Sequence, residues 1–157
     1  MIQLSTCEDN NAWNEFLEKE KDNQMITIAH NPSLAPILSK TFGYKSQNLL
    51  MEIGEKIVGV LPAVLFRDRV VSIPHFSYGG PIIDTSENID VDLDEVFQGR
   101  KFEIRSFSKL SAHVYDKKIS CVLDVHKSDD AQLMSLKSKL RQKIRKVKKR
   151  GYITKIG

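Results

Sequence analysis

A chain of 157 residues, 41% hydrophobic and 28% charged, has the composition of a globular domain with its own core, which excludes an intrinsically disordered chain. No apolar run approaches the roughly 18 residues of a transmembrane segment, and the first residues do not have the pattern of a secretory signal, so we expect a cytoplasmic protein. Residues 1–130 hold 14 Lys and Arg against 20 Asp and Glu, whereas residues 131–157 hold 10 Lys and Arg and no acid. This asymmetry indicates an anionic partner for the basic end, or an acidic surface outside the chain that covers it.

Two helices are predicted first along the chain. Over residues 8–21, apolar side chains recur at spacings of three and four among charged ones, which is typical of a helix with one buried face. A second helix is predicted over residues 32–42. Asn31 can cap such a helix, Pro32 fits its first position, and Gly43 suits the residue after its end.

Strands follow these helices. Residues 48–53, 57–66 and 70–73 are rich in apolar and β-branched residues and are separated by short turns, which predicts an antiparallel meander. Pro62 lies inside the middle strand and has no N–H to donate, so it marks an edge or a bulge. The later elements are predicted as a short helix over residues 93–97 and strands over residues 102–107 and 118–125.

A single basic helix is predicted over residues 129–150, ended by Gly151, with a further strand starting at residue 152. Its apolar side chains step by three and four residues and form a stripe that we expect to be buried against a sheet or a second lobe. The members of this stripe are Leu133, Leu136, Leu140, Ile144 and Val147. Lysines and arginines cover the other faces, although like charges four residues apart repel by about 0.2–0.5 kcal/mol per pair.

The charge of this helix makes it a candidate anion-binding site. Phosphate contacts need charge rather than base reading, so a phosphorylated donor or a tRNA backbone fits. The candidate phosphate-binding residues are Arg141, Arg145, Lys146 and Lys149. The alternative is a solvated helix face, or one that rests on an acidic surface. No aromatic residue interleaves with the Lys and Arg of residues 137–150, which argues against stacking of single-stranded bases.

The turn-forming segment 75–81 is the candidate substrate-binding site. Gly79 and Gly80 permit backbone shapes closed to other residues and let a ligand approach, and Tyr78 beside them can stack and hydrogen-bond. Arg105 lies among apolar strand residues and can bind a carboxylate or phosphate through two N–H groups. The alternatives are a tight turn with Tyr78 packed on the domain, and an Arg105 paired with a structural acid.

Other reactive side chains give weaker signals. His75 is either a general base or an ordinary loop histidine. Cys7 and Cys121 lie far apart in sequence, and nothing in the chain has the spacing of metal ligands. We therefore expect two reduced cysteines and no metal site.

The order of the predicted elements follows the acetyltransferase-like (GNAT-like) fold, and several segments, taken in order, resemble the Fem-like (FemAB-related) transferases. These segments are residues 42–44 (Phe-Gly-Tyr), 57–62 (Ile-Val-Gly-Val-Leu-Pro), 71–74 (Val-Ser-Ile-Pro), 78–81 (Tyr-Gly-Gly-Pro), 102–105 (Phe-Glu-Ile-Arg) and the basic run 138–146. The resemblance implies an α/β (α+β) fold, with a mixed, mostly antiparallel sheet flanked by helices in a single lobe. Because such proteins have two tandem lobes, residues 1–128 would form the N-terminal lobe. Residues 129–157 would form the basic helix and first strand of a truncated second lobe.

The resemblance also implies an activity. In well-understood members, an aminoacyl group moves from a tRNA onto an amine of a peptidoglycan precursor. The chain would thus be a lobe of an acyl- or aminoacyl-transferase in cell-envelope or exopolysaccharide metabolism, inactive alone. Its partners would be the second lobe, a donor such as aminoacyl-tRNA or acyl-coenzyme A, and an amine acceptor such as an envelope precursor.

The resemblance leaves three points open. No cofactor is assigned to this chain, because residues 84–94 hold several acids and no glycine-rich turn for a pyrophosphate. The catalytic residues are unknown. A non-catalytic RNA-binding or interaction module that uses the basic helix is the alternative function.

Overall fold

The computed structural model describes residues 2–23, 25–86, 89–107, 110–112, 114 and 124–152. The chain divides into two compact units, Met1–Val114 and Tyr115–Gly157. The lobes predicted from the sequence, 1–128 and 129–157, stay a prediction.

The first unit combines helices with short strands. Its elements are β1 (Gln3–Thr6), α1 (Asn10–Lys19), a 3₁₀ turn (Ile28–His30), α2 (Leu34–Phe42), β2 (Lys45–Ser46), β3 (Leu49–Ile53), β4 (Lys56–Leu61), β5 (Ala63–Phe66), β6 (Arg69–Ser72), β7 (Ile82–Ile83), α3 (Leu93–Phe97) and β8 (Lys101–Glu103). The second unit contains, within its described residues, α4 (Asp129–Ser135) and α5 (Ser138–Lys149).

The described strands form two four-stranded sheets, in the orders β1-β3-β4-β7 and β2-β5-β6-β8. Neighbouring strands are antiparallel except for β6 and β8, which are parallel. The predicted α+β class with mostly antiparallel strands is therefore confirmed. The strands lie in two sheets, however, where the sequence predicted one.

Pro62 lies at the junction of the two sheets. The strand predicted over residues 57–66 is in fact two strands, because β4 ends at Leu61 and β5 begins at Ala63. The Pro62 nitrogen cannot donate to a ladder, whereas its carbonyl accepts a hydrogen bond from the Ile73 N–H at 3.2 Å. The chain thus passes from β4, which pairs with β3 and β7, to β5, which pairs with β2 and β6.

Helices cover both faces of the sheets. α1 buries Trp13 against the first sheet, in a cluster with Val60, and α2 buries Leu38 against the second sheet. α3 buries Phe97 in another cluster, with strand residues such as Met51. Because successive strand side chains point to opposite faces, α3 covers the faces that α1 and α2 leave free.

The helix ends show how local chemistry sets the boundaries. α2 begins two residues later than predicted, because the Asn31 side chain accepts from the Ser33 N–H at 3.0 Å and forms a turn before the helix. Gly43 ends α2 in the left-handed conformation, with φ of 74°, as predicted. The short helix over residues 93–97 is confirmed as α3.

The single basic helix predicted over residues 129–150 is wrong, because two helices occupy that range. Leu136 has ψ of 151° and Lys137 has ψ of 143°, so both backbones are extended between α4 and α5. The Arg141 guanidinium donates to the carbonyls of Met134 at 2.9 Å and Leu136 at 2.8 Å, which satisfies acceptors at the end of α4. Gly151 follows α5 with φ of 74°.

The later strand predictions have mixed outcomes. Of the strand predicted over residues 102–107, only 102 and 103 belong to β8, and 104–107 continue outside a strand. The strand predicted over residues 118–125 lies mostly outside the described residues, and 124 and 125 are not in a strand. The strand predicted from residue 152 also falls almost wholly outside the described part of the chain.

Candidate functional site

The candidate substrate-binding loop, residues 75–81, lies between β6 and β7. Hydrogen bonds hold it against the segment that follows β8. The Arg105 N–H donates to the Ser72 hydroxyl oxygen at 2.9 Å, and the Gly79 N–H donates to the Arg105 carbonyl at 3.1 Å. Ser72 is buried at the end of β6. These hydrogen bonds bring Tyr78, Gly79 and Gly80 next to Arg105, although Gly79 and Arg105 are 26 positions apart in sequence.

The Arg105 side chain holds the loop from the other side. One guanidinium nitrogen donates to the Phe76 carbonyl at 3.3 Å, and another lies 3.0 Å from the Glu103 carboxylate. The side chain remains 36% exposed. A guanidinium has five N–H donors, so Arg105 retains donors that face solvent after these two contacts. The ion pair with Glu103 agrees with the alternative in which Arg105 pairs with a structural acid. The exposed part of the guanidinium could still bind a ligand.

Because Gly80 has no side chain, the segment around Ser106 can pack closely against it. A Cβ atom at this position would lie 2.8 Å from the Ser106 side chain and 3.1 Å from the Ser106 Cα, which is too close. The Gly80 carbonyl also accepts a hydrogen bond from His30 Nε2 at 2.9 Å. A Cβ at Gly79, by contrast, would make only ordinary contacts. Neither glycine has a positive φ, so close packing explains Gly80 better than an unusual backbone shape does.

His30 anchors the loop from the helical side, and sequence reasoning assigned it no role. The Thr27 N–H donates to His30 Nδ1 at 3.0 Å, so Nδ1 is the acceptor. Nε2 therefore carries the ring proton and donates the hydrogen bond to the Gly80 carbonyl oxygen. The His30 carbonyl accepts from the Trp13 indole N–H at 2.9 Å. Burial lowers the pKa of His30, which keeps the ring neutral in this network.

Tyr78 stacks on Phe107 at the outer side of the loop. Their ring centroids are 3.3 Å apart and the rings are inclined by 20°. The recess beside them, which Met25 and Pro81 also line, has a volume of about 10 Å³. That is about enough for one water molecule. A larger ligand of this loop would therefore lie over the exposed edge of Tyr78 and Phe107.

His75 follows β6 in a left-handed conformation, with φ of 71°. Its ring packs on Phe42 with a centroid distance of 4.7 Å, and its Nε2 lies 3.3 Å from the Tyr44 hydroxyl. Tyr44 also makes an edge contact with Phe66. His75 thus belongs to a surface aromatic cluster, separate from the hydrogen bonds that tie Gly79 to Arg105.

The four predicted phosphate-binding residues lie on α5, in the second unit. The Arg141 guanidinium is engaged by the end of α4, as described above. Arg145, Lys146 and Lys149 are exposed, and within the described residues no ion pair or hydrogen bond engages their side chains. These three remain available to an anion.

The structure also contains a larger groove that the sequence did not indicate. It has a volume of about 380 Å³ and lies against β5 and β6, where Gln47, Asp68, Arg100 and Lys101 contribute polar groups. Two charged turns border it, residues 67–69 and 99–101. Each turn reads as an ordinary polar turn in the sequence, and only the pairing of β6 with β8 brings them together.

The described residues offer little evidence for a metal site or a membrane-spanning helix. Among the described residues, no three His, Cys, Asp or Glu side chains are grouped so that they could hold a metal ion. No helix in the described part of the chain has the length and apolar character needed to cross a membrane. In comparisons with known proteins, the chain matches no family model, no curated protein and no solved structure.

Proposed function

We propose that this chain is a lobe of a Fem-like acyl- or aminoacyl-transferase that acts in the cytoplasm on a cell-envelope or exopolysaccharide precursor. In this proposal the lobe forms one side of a cleft that a second lobe completes. The donor is an aminoacyl-tRNA or an acyl-coenzyme A. The acceptor amine nitrogen attacks the donor carbonyl carbon and forms an amide bond. The C–O or C–S bond of the donor breaks, and the proton that the amine loses ends on the leaving oxygen or sulfur, which gives free tRNA or coenzyme A.

The observation that carries this proposal is the meeting of three segments that resemble the family. Residues 71–74, 78–81 and 102–105 are separate in sequence, yet two hydrogen bonds join them. The Arg105 N–H donates to the Ser72 hydroxyl oxygen, and the Gly79 N–H donates to the Arg105 carbonyl. A set of ordered motifs that converges on one place supports a shared site better than each motif does alone.

The proposed role of this site is positioning. Holding an amine and an ester in attack geometry lowers the entropic part of the barrier, and N–H donors aimed at the carbonyl oxygen stabilise the developing oxyanion. Tyr78 offers an aromatic face and a hydroxyl, and Arg105 offers exposed N–H donors. Gly79 and Gly80 belong to the loop that carries Tyr78, and this loop packs beside Arg105. The proposal assigns no catalytic residue to this chain.

The acceptor half of this proposal is testable by binding. We would titrate the ¹⁵N-labelled chain with a soluble peptidoglycan-precursor pentapeptide that carries a free lysine amine. We expect chemical-shift changes at residues 77–81 and 105–107. Because an aromatic contact contributes about 0.5–1.5 kcal/mol, Tyr78→Ala should weaken binding by roughly two- to tenfold.

Tyr152→Ala is the matched control, because Tyr152 is 69% exposed and lies in the second unit. It should bind the peptide as the unmodified chain does. Thermal unfolding of each variant checks that the fold is intact. Shifts confined to other regions, or equal affinities for the Tyr78→Ala variant and the unmodified chain, would show that this loop is not the acceptor site.

A second candidate function is RNA binding by α5. This helix has seven Lys and Arg among its 12 residues and no acid. The free ammonium and guanidinium groups described above favour contact with a phosphate backbone, which needs charge rather than base-specific contacts. A tRNA donor would unite the two functions, whereas RNA binding without any transfer would favour the non-catalytic alternative.

A further inference from the structure

The groove beside β5 and β6 has the form of a small-molecule site. Its volume of about 380 Å³ falls in the range of ligand pockets, roughly 300–1,000 Å³. Leu65 and Val70 face each other across β5 and β6 and form its apolar floor. Polar groups from three separate segments stand around this floor, which is the usual composition of a site that orients a ligand.

The charges around the floor are of both signs. Asp68 immediately precedes β6 and Lys101 is the first residue of β8, and the Lys101 ammonium is 2.5 Å from the Asp68 carboxylate. Both side chains are about two-thirds exposed, at 65% and 66%, so a ligand can reach them. An exposed pair of this kind is screened by water and contributes little to stability, so it can rearrange around a ligand.

Two further groups have unused hydrogen-bonding capacity. Within the described residues, no hydrogen bond or ion pair engages the Arg100 guanidinium, although Arg100 lines the groove. Gln47 Oε1 is buried and has no hydrogen-bond partner in the part of the chain that the structure describes. A buried acceptor without a partner destabilises the fold, and a donor on a ligand would satisfy it if the amide turned toward the ligand.

From these groups we infer that the groove binds a small zwitterion of amino-acid size, one that carries an ammonium and an anionic group together. The ammonium donates to the Asp68 carboxylate and to Gln47 Oε1. The anionic group accepts from Arg100 and Lys101. A simple anion would meet the Asp68 charge, and a simple cation would meet Arg100 and Lys101, so a ligand with both charges fits best. This inference concerns binding alone and does not rest on the proposed transfer reaction.

The test compares four probes by ¹⁵N NMR titration of the full chain. L-Alanine carries both charges, L-alanine methyl ester keeps only the ammonium, N-acetyl-L-alanine keeps only the carboxylate, and inorganic phosphate is a simple anion. We expect L-alanine to cause saturable shifts at residue 47, residue 68 and residues 99–101. Each of the other probes should bind more weakly, by up to about fivefold, because each loses one charged contact.

Variants of Arg100 and Asp68 test which charged group of the ligand each side chain contacts. Arg100→Gln should weaken L-alanine binding by up to about fivefold. Because it removes a positive charge, it should not weaken binding of the cationic methyl ester. Asp68→Asn should weaken L-alanine binding. Because it removes a negative charge, it should not weaken binding of the anionic N-acetyl-L-alanine. Lys40→Gln and Glu55→Gln are the matched controls, since both residues are exposed and lie outside the groove, and they should change nothing.

Three outcomes would overturn the inference. The first is the absence of saturable L-alanine shifts at the groove up to about 50 mM, a concentration that detects even very weak binding. The second is phosphate or N-acetyl-L-alanine binding as tightly as L-alanine, which would indicate a simple anion site. The third is equal binding of the methyl ester, which would indicate a site for the amino terminus of a peptide.

Discussion

At the scale of single residues, Asp84 shows how a buried charge ties distant segments together. Its carboxylate is 1% exposed and lies 2.6 Å from the Lys19 ammonium of α1 and 3.7 Å from that of Lys56. The Ser86 N–H and hydroxyl also donate to it. The hydrogen bond from Lys19 is the largest cause that lowers the pKa of Asp84, with the Ser86 hydroxyl next.

We therefore expect Asp84→Asn to lower the free energy of unfolding at pH 7 by about 1–3 kcal/mol, the usual cost of a lost charged hydrogen bond. The folded-state pKa lies below the unfolded value of 3.8, so this stabilisation is present above about pH 4. It is lost as the pH falls from there toward the folded-state pKa, because the unfolded chain binds a proton first. Urea unfolding of both proteins at pH 7 and pH 3 measures the difference.

Glu18→Gln serves as the control for this prediction. Glu18 pairs with Lys21 on the surface, with side chains 75% and 64% exposed, so its loss should cost less than about 1 kcal/mol. An Asp84→Asn difference that stayed the same at pH 7 and pH 3 would show that the carboxylate charge is not its source.

At the scale of elements, α5 has an apolar stripe and a basic surface that the structure leaves accessible. None of its residues is buried, and Leu140 and Val147 are 46% and 50% exposed. The break before α5 also separates Leu133 and Leu136 from the helical stripe that was predicted to run through residue 147. The test of α5 therefore addresses its basic residues and not its apolar stripe.

If α5 binds tRNA, Lys146→Glu with Lys149→Glu should weaken binding by about tenfold or more at low salt. Each lost phosphate contact lowers the slope of log affinity against log salt by about 1, so the double variant should lower it by about 2. The measurement is tRNA binding from about 50 to 500 mM salt, a range in which the Debye length passes through about 10 Å.

The control for α5 is Lys40→Glu with Lys45→Glu, which makes the same charge change at exposed positions of the first unit. It should leave the salt slope nearly unchanged. Equal effects of the two double variants would indicate only a general charge effect. Unchanged binding by the α5 variant would indicate that its basic face is a solvated surface.

At the scale of the whole molecule, the proposed function predicts that this chain alone transfers no acyl or aminoacyl group. The reason is the two-lobed cleft that the resemblance implies, since one lobe cannot hold donor and acceptor in attack geometry. The assay supplies charged tRNAs and acyl-coenzyme A with amine acceptors and measures product formation. Robust turnover would contradict this prediction and would place the catalytic groups within these 157 residues.

Much of the fold was predictable because its signals are local. The apolar spacing in α1, the positive-φ glycine after α2 and the short turns from β3 to β4 and from β5 to β6 depend on residues close in sequence. Such signals predicted an α+β class with mostly antiparallel strands. They also singled out the loop around Tyr78 and the exposed cations of α5, whose functional roles stay predictions.

Only the tertiary structure decided which distant groups meet. The division into two sheets at Pro62 depends on different neighbours for β4 and β5, and the break before α5 accompanies a bond from Arg141 back to α4. Gly80 is required by the approach of Ser106, and the mixed charges of the groove meet through the β6–β8 pair. Apart from the local bond of Arg141, each of these features is a contact between segments that lie far apart in sequence, and local periodicity carries no information about such contacts.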